Sequence, residues 1–209
     1  MKEIYEKLFR LLSDRNEKFN LTAIKSKEDF EVKHVRASML GLPYINGKVL
    51  DVGSGAGFPG LVIKIEKPET VVTLIDSVRK KTDYLSEAIK ELGLENITAV
   101  HTRIEDMAGK ESYDTVTARA VARMATLAEY CLPIVRTGGA FVAYKSEGGE
   151  EELNEAEKVI RLLGGKVERD ELLSLDEDTK RRIIVIRKVR PSPAGYPRSG
   201  NKPRLKPIM

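Results

Sequence analysis

The residues best suited to chemistry form one run, Val49-Leu50-Asp51-Val52-Gly53-Ser54-Gly55-Ala56-Gly57-Phe58-Pro59-Gly60. A short β-branched stretch, Lys48 to Val52, enters a cluster of glycines, and a helix is expected to follow from Gly57. At Gly53, Gly55 and Gly57 a ligand can lie against bare backbone where a side chain would collide with it. In an open α/β sheet such a turn stands at the carboxyl ends of the strands, where ligands bind beside the switch in strand order.

Two ligand classes compete for that turn. Gly55, Gly57 and Gly60 alone satisfy the G-x-G-x-x-G spacing of dinucleotide-binding proteins. The strand ends at Gly53, however, so that triplet starts two residues late. Asp51 also sets a carboxylate at the strand end, which is unfavourable beside a pyrophosphate and favourable beside a cationic sulfonium and an amino group. Asp76 ends the next strand, 25 residues after Asp51, where it can accept hydrogen bonds from a ribose diol. That role is common to both cofactor classes. S-adenosylmethionine is the expected cofactor. A nicotinamide or flavin cofactor is the alternative, and a set of ordinary turn and cap residues is the third reading.

Other reactive residue types point to no further centre. His34 and His101 are far apart in sequence and are read as structural. Cys131, the single cysteine, falls in an apolar helix and is read as core. Glu147, Glu150, Glu151, Glu152, Glu155 and Glu157 gather at a helix start, where they favour the helix dipole, so no metal site is expected. Arg103, Arg119 and Lys145 each end or follow an expected strand, which sets them on the rim where cofactor and substrate would meet.

These residues need a scaffold of alternating strands and helices. Strands are expected at Lys48–Val52, Val71–Ile75, Ile97–His101, Tyr113–Thr117 and Ala140–Tyr144, with Lys166–Leu173 and Arg182–Val189 as a final antiparallel pair. Helical patterns cover Lys2 to Phe19, Glu28 to Met39, the stretch ending near Gly93, and Met124 to Val135 closed by Gly138-Gly139. A last one, marked by Leu153, Ala156, Ile160 and Leu163, is stopped by Gly164-Gly165. Repeated β-α-β units require a mostly parallel sheet with helices on both faces. The expected organisation is a helical extension over 1–47, an α/β domain over 48–189, and a proline-rich tail over 190–209.

Length and composition agree with this. The chain has 209 residues, 41% hydrophobic and 33% charged, which suits one domain with a sizeable core. Met1-Lys2-Glu3-Ile4-Tyr5-Glu6 mixes charges without the apolar stretch of a secretory signal, and no apolar run approaches the length that spans a membrane, so a cytoplasmic protein, and a monomer, is expected. The net charge of +4 is unevenly placed. The last 23 residues hold Arg187, Lys188, Arg190, Arg198, Lys202, Arg204 and Lys206 without an acid, while residues 1–186 are mildly acidic. Such a tail suits an anionic partner.

The loop Leu50 to Gly60, with its Gly57-Phe58-Pro59-Gly60 continuation, resembles the glucose-inhibited division protein B family. Asn20-Leu21-Thr22-Ala23-Ile24, Thr117-Ala118-Arg119-Ala120, and Tyr196-Pro197-Arg198 through Lys206-Pro207 resemble further segments of that family in the same order. One departure is Ala37-Ser38, where the family usually has an Asp-Ser pair. The resemblance implies a Rossmann-like class I methyltransferase fold. It also implies transfer of a methyl group from S-adenosylmethionine to guanine N7 in the decoding-region loop of 16S ribosomal RNA, free or in the small ribosomal subunit. Cofactor contacts are implied at Gly53, Phe58, Ile104, Glu105 and Arg119, beside Asp51, Gly55, Gly57 and Asp76 of the turn reading. Arg103, Arg119 and Lys145 are implied as a basic substrate site. No general base is expected, because N7 carries a free lone pair. The tail cations Arg198, Lys202, Arg204 and Lys206 would contact phosphates. A methyltransferase for another acceptor and a non-catalytic RNA-binding assembly factor are the competing readings.

Overall fold

A computed structural model describes residues 2–19, 21–24, 26–107, 111–177 and 179–209; Asn20 of the N-terminal motif lies outside them. Its centre is one seven-stranded sheet: β1 (Lys48–Val52), β2 (Val71–Asp76), β3 (Ile97–His101), β4 (Tyr113–Arg119), β5 (Val135–Lys145), β6 (Gly165–Ser174) and β7 (Lys180–Lys188). The order across the sheet is β3-β2-β1-β4-β5-β7-β6. Strands β1 to β5 pair in parallel, while β7 is antiparallel to both β5 and β6. The sheet is therefore mixed, with the expected terminal antiparallel pair, and strand order reverses between β1 and β4. The glycine-rich turn follows β1 at that reversal.

Both faces of the sheet are covered, so its central strands β1, β2 and β4 are buried along most of their length rather than on alternate residues. On one face lie α1 (Glu3–Phe19), the helical stretch 27–39 that we call α2, α3 (Gly60–Glu66) and α4 (Arg79–Glu91). Tyr5, Leu8 and Leu12 of α1 and Phe30 and Val35 of α2 join Leu61, Tyr84 and Leu85 in that core. On the other face, α5 (Met124–Cys131), α6 (Gly149–Glu155) and α7 (Glu157–Leu162) pack Leu127, Cys131, Ala156 and Ile160 under β4, β5 and β7. No described helix is long and apolar enough to cross a membrane.

Several elements differ from the sequence reading. Helix α3 begins at Gly60 rather than Gly57, because Gly57 has φ +98° and cannot be helical. Helix α5 stops at Cys131, and β5 begins at Val135, so Gly138-Gly139 lies inside the strand. A Cβ at Gly139 would stand 2.6 Å from the Asp114 carbonyl oxygen, so the neighbouring backbone requires glycine there. The stretch marked by Leu153 to Leu163 is two helices meeting at the buried Ala156. The middle of α2, Phe30–Arg36, is π-helical. The C-terminal segment carries a short helix, α8 (Lys202–Leu205), and is docked rather than loose.

The N-terminal helices join the sheet through His34. Its ring stacks on Phe58 at 4.3 Å between centroids and 3° between planes. Arg119 Nη2 lies 2.7 Å from His34 Nδ1, and a guanidinium can only donate. Nδ1 is therefore the bare nitrogen, and Nε2–H donates to Thr22 Oγ1 at 2.9 Å. Burial and then the charge of Arg119 push the His34 pKa down to about 3.

Two stability predictions follow from these contacts. A Cβ at Gly60 would lie 2.1 Å from Leu74 Cδ2 and 2.8 Å from Asp51 Oδ2, whereas one at Gly93 meets nothing within 4 Å. Urea denaturation should show Gly60→Ala losing about 2–3 kcal/mol to overpacking. Gly93→Ala carries only the left-handed backbone cost, about 1 kcal/mol. The second concerns acid. Unfolded His34 takes a proton below its ordinary value of 6.5, but the folded ring resists until about 3, so its contribution is complete above pH 6.5 and is lost as pH falls. At about 1.4 kcal/mol per pH unit, wild type should lose roughly 2–3 kcal/mol relative to His34→Gln between pH 6.5 and 4.5. Parallel denaturation curves at the two pH values measure that difference.

Candidate active site

The glycine-rich turn is held from behind by Asp51. Its carboxylate is fully buried, with Oδ2 accepting the Gly60 N–H at 3.1 Å and Oδ1 the Thr117 hydroxyl at 2.9 Å. One side chain thus links β1 to the start of α3 and to β4. Burial raises the Asp51 pKa to about 6, while the bonds from Thr117 and Gly60 and the charge of Arg119 oppose that rise. In front, Asp76 at the end of β2 orders the rest of the turn. Its Oδ2 accepts the Gly55 N–H at 3.0 Å and its Oδ1 the Val78 N–H at 2.9 Å. The Ser54 N–H is taken by the Ile75 carbonyl at 2.9 Å.

A cleft of about 280 Å³ opens over these strand ends. Val52, Gly53, Ile75 and Asp76 border it from β1 and β2, Arg103, Ile104 and Glu105 from the turn after β3, and Ala120 and Val121 from the end of β4. Gly53 has φ +66°, and a Cβ there would meet Val121 Cγ2 at 2.6 Å, so the cleft wall is bare backbone at that point. Arg103 Nε donates to Glu105 Oε1 at 2.9 Å, which ties the turn into one unit.

A second cavity of about 360 Å³ adjoins the first. Arg119, Lys145 and Arg181 give it a cationic lining, completed by Ala37, Ala120, Tyr144 and Ser146. Lys145 is balanced by Glu152 at 2.6 Å. Arg119 instead bonds to the neutral His34 ring and, at 3.4 Å, to Ser38 Oγ. Among the described residues it has no carboxylate in ion-pair contact. Burial and then the nearby Arg181 charge lower its pKa to about 10, still far above neutrality, so the cavity holds a permanent cation. Ala120 borders both spaces and adopts φ +56°, a left-handed conformation that costs a residue with a Cβ about 1–2 kcal/mol.

The sites expected from the sequence fall into four places. Gly53, Asp76, Ile104, Glu105 and Arg103 border the cleft. Arg119 and Lys145 border the cationic cavity instead, so the three basic residues are divided between two spaces. Asp51, Gly55, Gly57 and Phe58 border neither: the Asp51 oxygens are spent on the fold, and Phe58 is buried against His34. In the tail, Lys202, Arg204 and Lys206 are exposed, but Arg198 is paired with the buried Glu129 at 2.7 Å. Ala120, Tyr130, Arg181 and Asn201 were missed. Ala120 closes the Thr117-Ala118-Arg119-Ala120 segment but has no side-chain chemistry to single it out, and Tyr130, Arg181 and Asn201 reach their places by tertiary packing. His101 donates to Ser77 O and accepts from Arg79 at the surface, and Cys131 is buried in the core. Among the described residues no cluster of three or more His, Cys, Asp or Glu could hold a metal.

Solved structures share this architecture at low identity. A 1,6-didemethyltoxoflavin-N1-methyltransferase from Burkholderia thailandensis, bound to 1,6-didemethyltoxoflavin and S-adenosylhomocysteine, superposes with a TM-score of 0.62 at 15% identity, covering 91% of this chain and 92% of its own. A ribosomal protein L11 methylase from Lactobacillus delbrueckii subsp. bulgaricus gives 0.60 at 16% identity, covering 76% and 80%. These likenesses establish the fold. Sequence relatives are much nearer. The ribosomal RNA small subunit methyltransferase G of Lactobacillus helveticus is 42% identical, covering 99% of this chain and 91% of its own. That of Staphylococcus epidermidis is 43% identical, covering 100% and 90%. The family model for rRNA small subunit methyltransferase G matches residues 1–184, and with these relatives it makes the chain a member of that family.

Proposed function

We propose that this protein transfers the methyl group of S-adenosylmethionine to N7 of a guanine in the decoding-region loop of bacterial 16S ribosomal RNA. The observation that carries the reading is the meeting of the cleft and the cationic cavity at Ala120. One space suits a nucleoside cofactor and the other an anionic nucleotide, so donor and acceptor atoms can face each other across a single residue. Family membership supplies the RNA class.

The residues present fit the cofactor. Gly53 leaves bare backbone where a Cβ would meet Val121. Asp76 borders the cleft with a carboxylate already fixed by two backbone N–H groups, which suits it to accept from a ribose diol. Ile104 and Glu105 supply an apolar wall and an acceptor on the far side of Asp76. When bound, the cofactor supplies an electrophilic methyl on a sulfonium. N7 would take that methyl through its lone pair, with the S–C bond breaking as the N–C bond forms, so that S-adenosylhomocysteine and a cationic methylated ring would result.

No proton leaves N7, so the protein's work is positioning and electrostatics. Arg119 and Arg181 would receive phosphate or the guanine O6 through their planar donor forks, with Lys145 held beside them by Glu152. Exposed Lys202 and Lys206 would add phosphate contacts that set the RNA's position without reading its sequence. The target guanine must be unstacked to reach the cavity, as in the folded, partly single-stranded loops that RNA-modifying enzymes address. The reaction is assigned to the bacterial cytoplasm and to a single chain.

Two measurements check this reading. Incubating the protein with radiolabelled S-adenosylmethionine and small subunits from a strain lacking the activity should label one guanine of that loop. Cleavage at N7-methylguanine maps the position; no label in any RNA overturns the acceptor assignment. Asp76→Ala should weaken S-adenosylhomocysteine binding, by calorimetry, about 10- to 100-fold, the usual loss for a charge-assisted hydrogen bond. Unchanged affinity would remove Asp76 from the cofactor site.

A further inference from the structure

The C-terminal segment is fastened to the body more firmly than phosphate contact requires. Arg198 donates from its backbone N–H at 3.0 Å and its Nε at 2.8 Å to Glu129 Oε1, and from Nη2 at 2.7 Å to Oε2. Glu129 is only 1% exposed. A carboxylate buried that deeply is tolerated only when its oxygens are fully engaged, so the Arg198 contact is built into the fold. Five residues on, the carbonyl of buried Pro203 accepts the Thr126 hydroxyl at 3.1 Å. Thr126, Glu129 and Tyr130 stand at i, i+3 and i+4 of α5 and so share one face. That face seats the segment.

The seating has a consequence at the cleft. Asn201 and Arg204 both border it, beside Tyr130, and Arg103 Nη2 donates to Asn201 Oδ1 at 2.8 Å. Arg103 follows β3, whereas the glycine-rich turn follows β1, and β2 with Asp76 lies between them in the sheet. The segment therefore closes the β3 side of the cleft, the side beyond the ribose acceptor. Arg204 is exposed and takes part in none of the ion pairs found among the described residues, so its guanidinium is available to a ligand.

We infer that Asn201 and Arg204 are cofactor-binding residues and that the C-terminal segment is a strap closing the adenine end of the cleft. Arg204 offers a planar cation that stacks on a purine face, and Asn201 an amide that both donates and accepts at a purine edge. Arg198 and Glu129 act as positioning residues, since their contact fastens the strap to the body and neither borders the cleft. The inference rests on the adenosylmethionine reading and moves Arg204 from the RNA contact surface into the cofactor site.

Calorimetric titration of the full-length protein with S-adenosylhomocysteine, in the absence of RNA, tests it. Arg204→Ala and Asn201→Ala should each weaken binding about tenfold at an unchanged melting temperature, roughly the loss of one good contact. Arg204→Lys, which keeps the charge and loses the plane, should remain several-fold weaker than wild type. Arg198→Ala should also weaken binding, although no cleft residue is altered. Wild-type affinity in both Arg204→Ala and Asn201→Ala overturns the strap while leaving the cofactor reading intact. A wild-type protein that does not bind the ligand overturns both.

Discussion

The buried carboxylate of Asp51 is the constraint on which the site depends. One oxygen caps the first N–H of α3 and the other takes the Thr117 hydroxyl of β4, so strand, turn, helix and neighbouring strand are joined by a single side chain. The glycine-rich turn cannot shift without breaking one of these bonds and leaving a buried carboxylate oxygen unsatisfied, a loss of about 1–3 kcal/mol. Gly60 completes the arrangement, because only a residue without a Cβ lets its N–H approach Asp51 beneath Leu74. The order reversal between β1 and β4 then sets the cleft at this same place, so topology and hydrogen bonding specify one location together.

From that fixed point two spaces diverge with different electrostatics. The cleft over the strand ends is bordered by carboxylates, Asp76 and Glu105, alongside cations supplied by Lys81, Arg103 and Arg204. The adjoining cavity is lined by three cations, of which only Lys145 has an acid in salt-bridge contact among the described residues. Arg119 is kept there by a neutral imidazole, since a protonated His34 would repel it, and the depressed His34 pKa is the other side of the same contact. The N-terminal segment thus does more than cover a sheet face: through His34, Ser38 and, behind the ring, Thr22 it orients the Arg119 cation in the second cavity. Burying a guanidinium without a carboxylate costs stability, and the large apolar contacts of Tyr5, Leu8, Phe30 and Phe58 offset it.

Much of this was legible in the residues. The glycine run and the acids at positions 51 and 76 marked the turn, the strand ends and the cofactor class, because those features are local and their spacing is dictated by backbone geometry. The role of Asp51 was not legible in the same way. A carboxylate at a strand end reads equally as a ligand contact or a helix brace, and only the positions of Gly60 and Thr117 decide for the brace. Arg103, Arg119 and Lys145 were identified as rim cations, but their division between two cavities depends on how β4 and β5 end in space. Glycine pairs misled at Gly138-Gly139, where close backbone approach inside a strand looks like a helix stop. The proline-rich tail carries no periodicity, so its seating on α5 through Glu129 and Thr126 left no trace in the sequence.

The meeting of donor and acceptor across Ala120 is the arrangement we propose. Its most direct test is a crystal structure of the protein with S-adenosylhomocysteine and a short RNA hairpin of the decoding-region loop. The thioether sulfur is expected in the cleft beside Gly53 and a guanine in the cavity of Arg119 and Lys145, with N7 directed at the sulfur past Ala120. A guanine bound elsewhere, or a cofactor product seated in the cationic cavity, would contradict it.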